Sequence, residues 1–363
     1  MFSEFTISSN KENILYKRIE EIQGKKLPIL LFGASLRKDA IELFEKFNID
    51  IYGFIDNDKE KQGKKLFGLN IFGFKEVLDR YNQNEVVIVI VANAGAQEIE
   101  QQINNAGWTQ NIQKIDLSCI EVEDWNNYYN ENIEKLKKVY NFLEDEYSKK
   151  IFSNIVNYRI LNDRNLIKEI CDIEENQYFD KEIIKIENDE TFLDLGAFDG
   201  DTVENFIKRN NTYKKIISFE PNRDNYKKLY NKYNSNERVQ MFNIGTFDKT
   251  TQLGFSSIGG KQAQVEEYGE ETINVVDVDS FLCKENITFI KMDIEGSEKE
   301  TIKGAETIIK KLKPKLAICI YHKKEDLFEI PLMIKELVPE YKIYIRHYSE
   351  AACDTVCYAI LEK

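Results

Sequence analysis

Phe192-Leu193-Asp194-Leu195-Gly196-Ala197-Phe198-Asp199-Gly200-Asp201-Thr202-Val203-Glu204 is the stretch that decides the fold. An apolar run ends at Asp194, glycines follow at 196 and 200, and the pattern predicts a helix from about Thr202. Glycine lets the chain turn tightly and lets a ligand approach the backbone. Twenty residues after Gly200, a second apolar run, Ile216 to Phe219, stops at Glu220-Pro221-Asn222. A carboxylate at the end of that strand is placed to accept hydrogen bonds from both ribose hydroxyls of a nucleoside. A ligand-free turn and a surface acid are the plain alternatives.

The acids around the turn bear on which nucleoside is bound. Asp194, Asp199 and Asp201 crowd the position where a dinucleotide would set its pyrophosphate, and they oppose such an anion. A sulfonium cofactor has no phosphate and carries positive centres, so the same acids suit S-adenosylmethionine. Helix capping and solvent exposure remain alternatives for Asp199 and Asp201. A further strand ends in Ile290-Lys291-Met292-Asp293-Ile294-Glu295-Gly296-Ser297-Glu298. Asp293 and Glu295 share one side of extended backbone. They are candidates to hold the cofactor's amino end, to accept a substrate hydroxyl, or to ligate a metal, while Glu298 reads as a helix-start acid. The chain has two histidines. His322 follows the strand Leu316 to Tyr321, where substrate is expected, and His347 lies in a later strand. His322, Asp293 and Glu295 form the expected catalytic set. Lys323, Arg346 and His347 join His322 as expected substrate contacts, and no resident metal is expected.

Outward from this stretch, Thr191–Leu195, Ile216–Glu220, Val239–Asn243, Thr288–Asp293 and Leu316–Tyr321 read as strands, most of them separated by helical segments. Tyr341–His347 and Val356–Leu361 are joined by a loop too short for a crossover helix, so they must pair antiparallel. The fold class is therefore α/β, a doubly wound sheet with an antiparallel C-terminal hairpin. Upstream, residues 121–180 lack Gly and Pro. Ile133, Leu136, Tyr140, Leu143 and Tyr147 recur at helical spacing, which predicts a helical connector. In front of it, Pro28 to Gly33, Ile51 to Ile55 and Val86 to Val91 outline a smaller Rossmann-like α/β domain. The predicted boundaries are 1–120, 121–180 and 181–363. The turn Gly33-Ala34-Ser35-Leu36-Arg37-Lys38 lacks the later glycines of a dinucleotide fingerprint. This domain is either a nucleotide-sugar site, with Arg37 or Lys38 near phosphate and Asp56 near ribose, or a scaffold or dimerisation module.

A composition of 42% hydrophobic and 31% charged residues is that of a folded protein. A net charge of -13 argues against nucleic-acid binding. No run is long and apolar enough for a membrane span or signal peptide. The six cysteines show no zinc or disulfide framework, and a cytoplasmic location is expected.

The blocks at 192–202, 217–222, 289–298 and 321–331 resemble the FkbM family of methyltransferases, from about Gln177 to the C-terminus. The resemblance implies a class I methyltransferase sheet, S-adenosylmethionine as cofactor, and a hydroxyl acceptor on a sugar, glycan or related metabolite. It implies cofactor contacts at Asp194, Gly196, Ala197, Phe198, Gly200, Asp201 and Thr202 in the loop, and at Glu220, Pro221 and Asn222. Asn243, Ile244 and Gly245 would lie near the adenine, Tyr178 and Phe179 would cover the cofactor, and Asp293 would reach it. Packing of a linker is the alternative for Tyr178 and Phe179. N-methylation of an amino-acid or amino-sugar acceptor remains open, as does an inactive nucleotide-sugar-binding assembly factor. An NAD-dependent oxidoreductase is disfavoured by the missing glycines.

Overall fold

The computed structural model describes residues 5–7, 13–34, 38–91, 96–115, 124–257, 263–266 and 271–362. Contacts divide the chain into two compact units, residues 6–130 with 155–166, and residues 1–5, 131–154 and 167–363. The division falls inside the helix Glu146–Leu161, within the stretch that the sequence marks as helical.

The smaller unit is a six-stranded sheet of β1 (Ile29–Phe32), β2 (Ile51–Ile55), β3 (Lys65–Leu66), β4 (Leu69–Phe72), β5 (Val87–Ile90) and β6 (Ile112–Lys114). Its order is β3-β4-β2-β1-β5-β6, parallel except for the β3–β4 pair. Every residue of β1 is buried because both faces of the sheet are covered. Ile29 and Leu31 enter one core, and Leu30 and Phe32 enter the other. Sequence reading found β1, β2 and β5 and missed the short strands β3, β4 and β6.

The larger unit holds a seven-stranded sheet. Its strands are β7 (Thr191–Leu195), β8 (Lys215–Phe219), β9 (Val239–Phe242), β14 (Phe289–Met292), β15 (Lys315–Cys319), β16 (Lys342–His347) and β17 (Thr355–Ile360), in the order β16-β17-β15-β14-β7-β8-β9. β17 runs antiparallel to both of its neighbours, as the short connecting loop requires. The chain leaves β7 toward β8 on one side and returns to β14 on the other, so the strand order switches between β7 and β14. In an open α/β sheet, ligands bind outside the carboxyl ends of the strands at such a switch. Under it lies an aromatic core in which Phe192 and Phe206 stack at 4.5 Å between ring centroids.

A second sheet interrupts the alternation after β9. It comprises β10 (Gly245–Thr246), β11 (Thr251–Ser257), β12 (Ala263–Glu266) and β13 (Glu271–Val276), in the order β10-β13-β11-β12. It was not anticipated from the sequence, although Thr272 to Val275 alternates polar and apolar residues as a half-buried strand does. Among the described residues, no helix is long and apolar enough to cross a membrane.

Candidate active site

A cavity of about 310 Å³ opens at the carboxyl ends of β7, β8, β9 and β14. Its lining includes Gly196, Phe198, Asp201 and Thr202 after β7, Glu220 and Pro221 after β8, and Gly245 and Thr246 on β10. Lys291, Asp293, Ile294, Glu295 and Ser297 come from β14 and the turn behind it, while Gln177 and Tyr178 come from the approach to the domain. Ile273 and Val275 on β13 add an apolar wall, and Asn225 and Asp354 also line the cavity.

Local backbone geometry builds the loop. Gly196 has φ +82°, and a β-carbon there would lie 1.8 Å from the Asp293 carbonyl oxygen, so only glycine fits between the two strand ends. Gly200 caps the helix Asp201–Arg209 with φ 91°. Glu220 clamps the turn, accepting from the Phe198 N–H at 2.8 Å through one oxygen and from the Asn222 N–H at 2.8 Å through the other. An ionised carboxylate has about four acceptor positions, so two remain for ribose hydroxyls. Burial pushes the Glu220 carboxyl up to about 7, against the pull of those two amides and Lys291. Asn243 donates to the Glu220 carbonyl at 2.8 Å and the Pro221 carbonyl at 3.0 Å, fixing the backbone that presents the acid.

Asp194 is fully buried and outside the lining, which corrects its expected role as a direct cofactor contact. It lies 3.1 Å from Lys291 Nζ, which also donates to the Gly196 carbonyl at 2.6 Å. Burial works against the Lys291 ammonium, but Asp194 and Asp293 hold it above the ordinary lysine range. The sequence reading missed Lys291, whose signal was a lysine inside a four-residue strand that is otherwise apolar. Asp199 is likewise directed elsewhere, 3.3 Å from Lys232. The carboxylates that line the cavity are Asp201, Glu220, Asp293, Glu295 and Asp354. This set, rather than Asp194 and Asp199, would oppose a pyrophosphate in the cavity.

Other expected contacts support the cavity rather than line it. Ala197 is buried, and Phe179 packs 5.9 Å from Phe192 between ring centroids. Asn222 caps the helix Arg223–Tyr233, and Ile244 lies beside the lining. Tyr178 lines the cavity. Its hydroxyl donates to Asp293 Oδ2 at 2.7 Å, and its backbone N–H is held by the Tyr358 hydroxyl at 2.9 Å.

Beside this cavity stands a cluster around His322, whose side chain is 4% exposed. Nε2 is 3.3 Å from Asp293 Oδ1 and 3.5 Å from Glu295 Oε2, and Nδ1 is 3.0 Å from Glu298 Oε1. Burial disfavours the imidazolium, but Glu298 and Asp293 hold the ring well above the ordinary histidine range. Burial likewise raises Asp293, yet His322, Lys291 and Tyr178 bring it well below the usual carboxylate range. Glu295 is pushed up to about 7 by burial, with His322 opposing and Asp293 and Glu298 adding.

Two expected substrate contacts face elsewhere, and a third lies outside the lining. Arg346 is buried, with its guanidinium 2.8 Å from Asp145 and 3.3 Å from Asp180, so it ties the connector to β16. His347 is fully buried, its Nδ1 2.9 Å from the Thr355 hydroxyl. Lys323 lies outside the lining, with its N–H on Asp326 at 2.8 Å. Arg346 and His347 sit at the end of β16, where position along the chain does not reveal which face a side chain takes. Arg37 lies outside the described residues.

The doubly wound sheet, with an acid-lined cavity at the carboxyl ends of its strands, has the architecture of a class I methyltransferase. Residues 194–342, within the larger unit, match the family model described as "Methyltransferase FkbM domain". The crystal structure of methyltransferase FkbM from Methylobacillus flagellatus KT shares the fold with a TM-score of 0.72 and 20% identity, over 96% of this chain and 94% of that one. An rRNA methylase from Streptococcus thermophilus overlaps 49% of this chain and 90% of its own, with 14% identity and a TM-score of 0.33. No curated protein matches the chain.

Proposed function

We propose that the protein transfers a methyl group from S-adenosylmethionine to a hydroxyl of a sugar, glycan or related neutral metabolite. The observation that carries this reading is the side of the cavity formed by Asp293, Glu295 and the neighbouring His322, where hydrogen-bond acceptors outnumber donors. Such a surface matches a polyol, whose hydroxyls donate, and it repels phosphate or carboxylate acceptors. Lys291 does not change this balance, because Asp194 and the Gly196 carbonyl already engage it.

In this reading the adenosine ribose rests on Glu220, the adenine lies toward Gly245 and the apolar wall of Ile273 and Val275, and the sulfonium faces Asp293. The chain's contribution is then alignment. The acceptor oxygen must lie in line with the bond from sulfur to methyl, and fixing that geometry supplies about 7–11 kcal/mol. The hydroxyl proton leaves toward the carboxylate cluster as the ether forms, giving the methylated product and S-adenosylhomocysteine.

The test is an incubation of the full chain with methyl-labelled S-adenosylmethionine and a panel of sugars, nucleotide-sugars, oligosaccharides and matched amino-sugars. Label in an acid-stable ether of a neutral sugar supports the reading. Label found only on nitrogen replaces it with the amine acceptor.

The smaller unit repeats part of the ribose-acid geometry, and we infer a nucleoside ligand there as a second reading. Asp56, at the end of β2, accepts from the Ala34 N–H at 2.9 Å and the Asp58 N–H at 2.9 Å, much as Glu220 holds Phe198 and Asn222. Titration with UDP- and CDP-sugars tests it. Binding that is lost in Asp56→Ala supports this ligand, and no heat in either titration removes it.

A further inference from the structure

We propose that Glu295 takes the acceptor's proton during methyl transfer, and that Glu298 is a positioning residue that acts on it through a doubly protonated His322 ring. The sequence groups His322, Asp293 and Glu295 as one catalytic set, and the structure separates their roles. Access makes the first division. Glu295 and Asp293 line the cavity, whereas His322 lies outside the lining and is 4% exposed. A general base must come within hydrogen-bond reach of the proton it removes, and of the three only the carboxylates meet that condition.

The surroundings of the ring argue independently against His322 as the base. Nε2 stands 3.3 Å from Asp293 Oδ1 and 3.5 Å from Glu295 Oε2, while Nδ1 stands 3.0 Å from Glu298 Oε1. A neutral imidazole would turn a lone pair toward a carboxylate on one side or the other. With a proton on both nitrogens it meets each carboxylate with positive charge. Glu298 completes this arrangement. It is fully buried at the start of the helix Glu298–Gly304, and its Oε1 also accepts from the Ile294 N–H at 2.9 Å, which fixes it against the ring. Asp326 adds negative charge that Glu298 feels, and the Tyr321 ring covers the imidazole at 4.0 Å between centroids. The neighbouring lysines are held elsewhere: Lys291 by Asp194, Lys299 by Glu325 and Glu329, and Lys323 toward Glu300 at 3.8 Å.

The two carboxylates are also unlike each other. Asp293 accepts from the Tyr178 hydroxyl at 2.7 Å and the Tyr321 hydroxyl at 3.4 Å, and it faces both His322 and Lys291, so it stays ionised as a fixed charge. Glu295 has neither tyrosine, and burial brings it to about 7 against the pull of His322. Neighbouring carboxylates pushed apart in this way divide into a spectator and a proton carrier, and a carrier near neutrality works best. The backbone supports the assignment. Glu295 has φ 53°, a left-handed conformation that a long side chain rarely takes and that persists at sites which need it. In the step itself the acceptor oxygen bonds to the methyl carbon, and the bond to sulfur breaks with its electron pair passing to sulfur. The O–H proton passes to Glu295 and then to water. That the proton comes from a hydroxyl rests on the reading above; the charge arrangement does not, and it is measured without any acceptor.

The experiment labels histidine with carbon-13 in the full chain and follows the imidazole signals by NMR from pH 6 to pH 9, with S-adenosylhomocysteine present. The chain has two histidines, and the signal lost in His322→Gln assigns the ring. His322 is expected to keep its imidazolium shift across the range, with a small step near pH 7 as Glu295 ionises. Glu295→Gln should remove that step, and Glu298→Gln should lower the ring's proton affinity by at least ~10-fold. In the labelling assay, Glu295→Gln should lower kcat by at least ~100-fold and leave the KM for S-adenosylmethionine within about 2-fold. Thermal melts establish which variants fold. A wild-type ring that titrates at about 6.5, a step that persists in folded Glu295→Gln, or undiminished kcat in that variant overturns the proposal. Label found only on nitrogen removes the hydroxyl reading instead, and the step near pH 7, with the kcat of Glu295→Gln on that amine, still decides the role of Glu295.

Discussion

Glu220 shows how one side chain can both build a site and serve it. Its two oxygens stitch the Gly196 turn to the start of the next helix, and burial raises its carboxyl to about 7 from an ordinary 4.5. Only the ionised form accepts from two ribose hydroxyls at once. Affinity for S-adenosylhomocysteine should therefore rise several-fold from pH 6 to pH 8, and calorimetry on wild type and Glu220→Gln should show the slope vanish in the variant. Stability has the opposite sign. Between about 4.5 and 7 the folded chain holds a proton at Glu220 that the unfolded chain has lost, so this group's contribution to the unliganded fold falls as pH rises through that window. Gly196 is constrained more simply. Gly196→Ala combines a left-handed backbone, costing about 1–2 kcal/mol, with an overlap on the Asp293 carbonyl that adds about 1–3 kcal/mol. Denaturant melts should show at least the first loss, together with loss of cofactor binding.

The pairing of β7 with β14 is where the loop and the acidic cluster meet, and the Asp194–Lys291 ion pair crosses it out of reach of solvent. Removing one partner, as in Lys291→Met, leaves an uncompensated charge and should cost about 3–5 kcal/mol. The double change Asp194→Leu with Lys291→Met should recover much of that in a chemical melt. If the single and double variants were equally unstable, the pair would not be the reason. The strands of this sheet were legible because each is a short apolar run closed by turn residues, and β7 spans the residues predicted for it. The second sheet was not, because β11 is broken by Gly254 and β10 has only two residues. Glu220, Asp293 and His322 were readable as strand-end residues on a doubly wound sheet. Lys291 was not, since its partner is set by pairing between strands far apart in sequence. Arg346 and His347 lie on β16, at the sheet edge farthest from β9, and nothing in the local sequence marks them as buried.

Across the whole molecule, formal charge and cavity lining agree. The chain carries a net charge of -13, and the cavity gathers five carboxylates around a lysine that is already paired. A phosphorylated coenzyme would meet repulsion there, whereas a sulfonium with an amino group would not. Calorimetric titration of the full chain with S-adenosylmethionine, S-adenosylhomocysteine and NAD, on wild type and Glu220→Ala, puts that balance to the most direct test. Saturable binding of both sulfur nucleosides at one per chain is expected, weakened at least ~10-fold by Glu220→Ala, with no heat from NAD. Saturable NAD binding in place of S-adenosylmethionine, or S-adenosylhomocysteine binding untouched by Glu220→Ala, would contradict it.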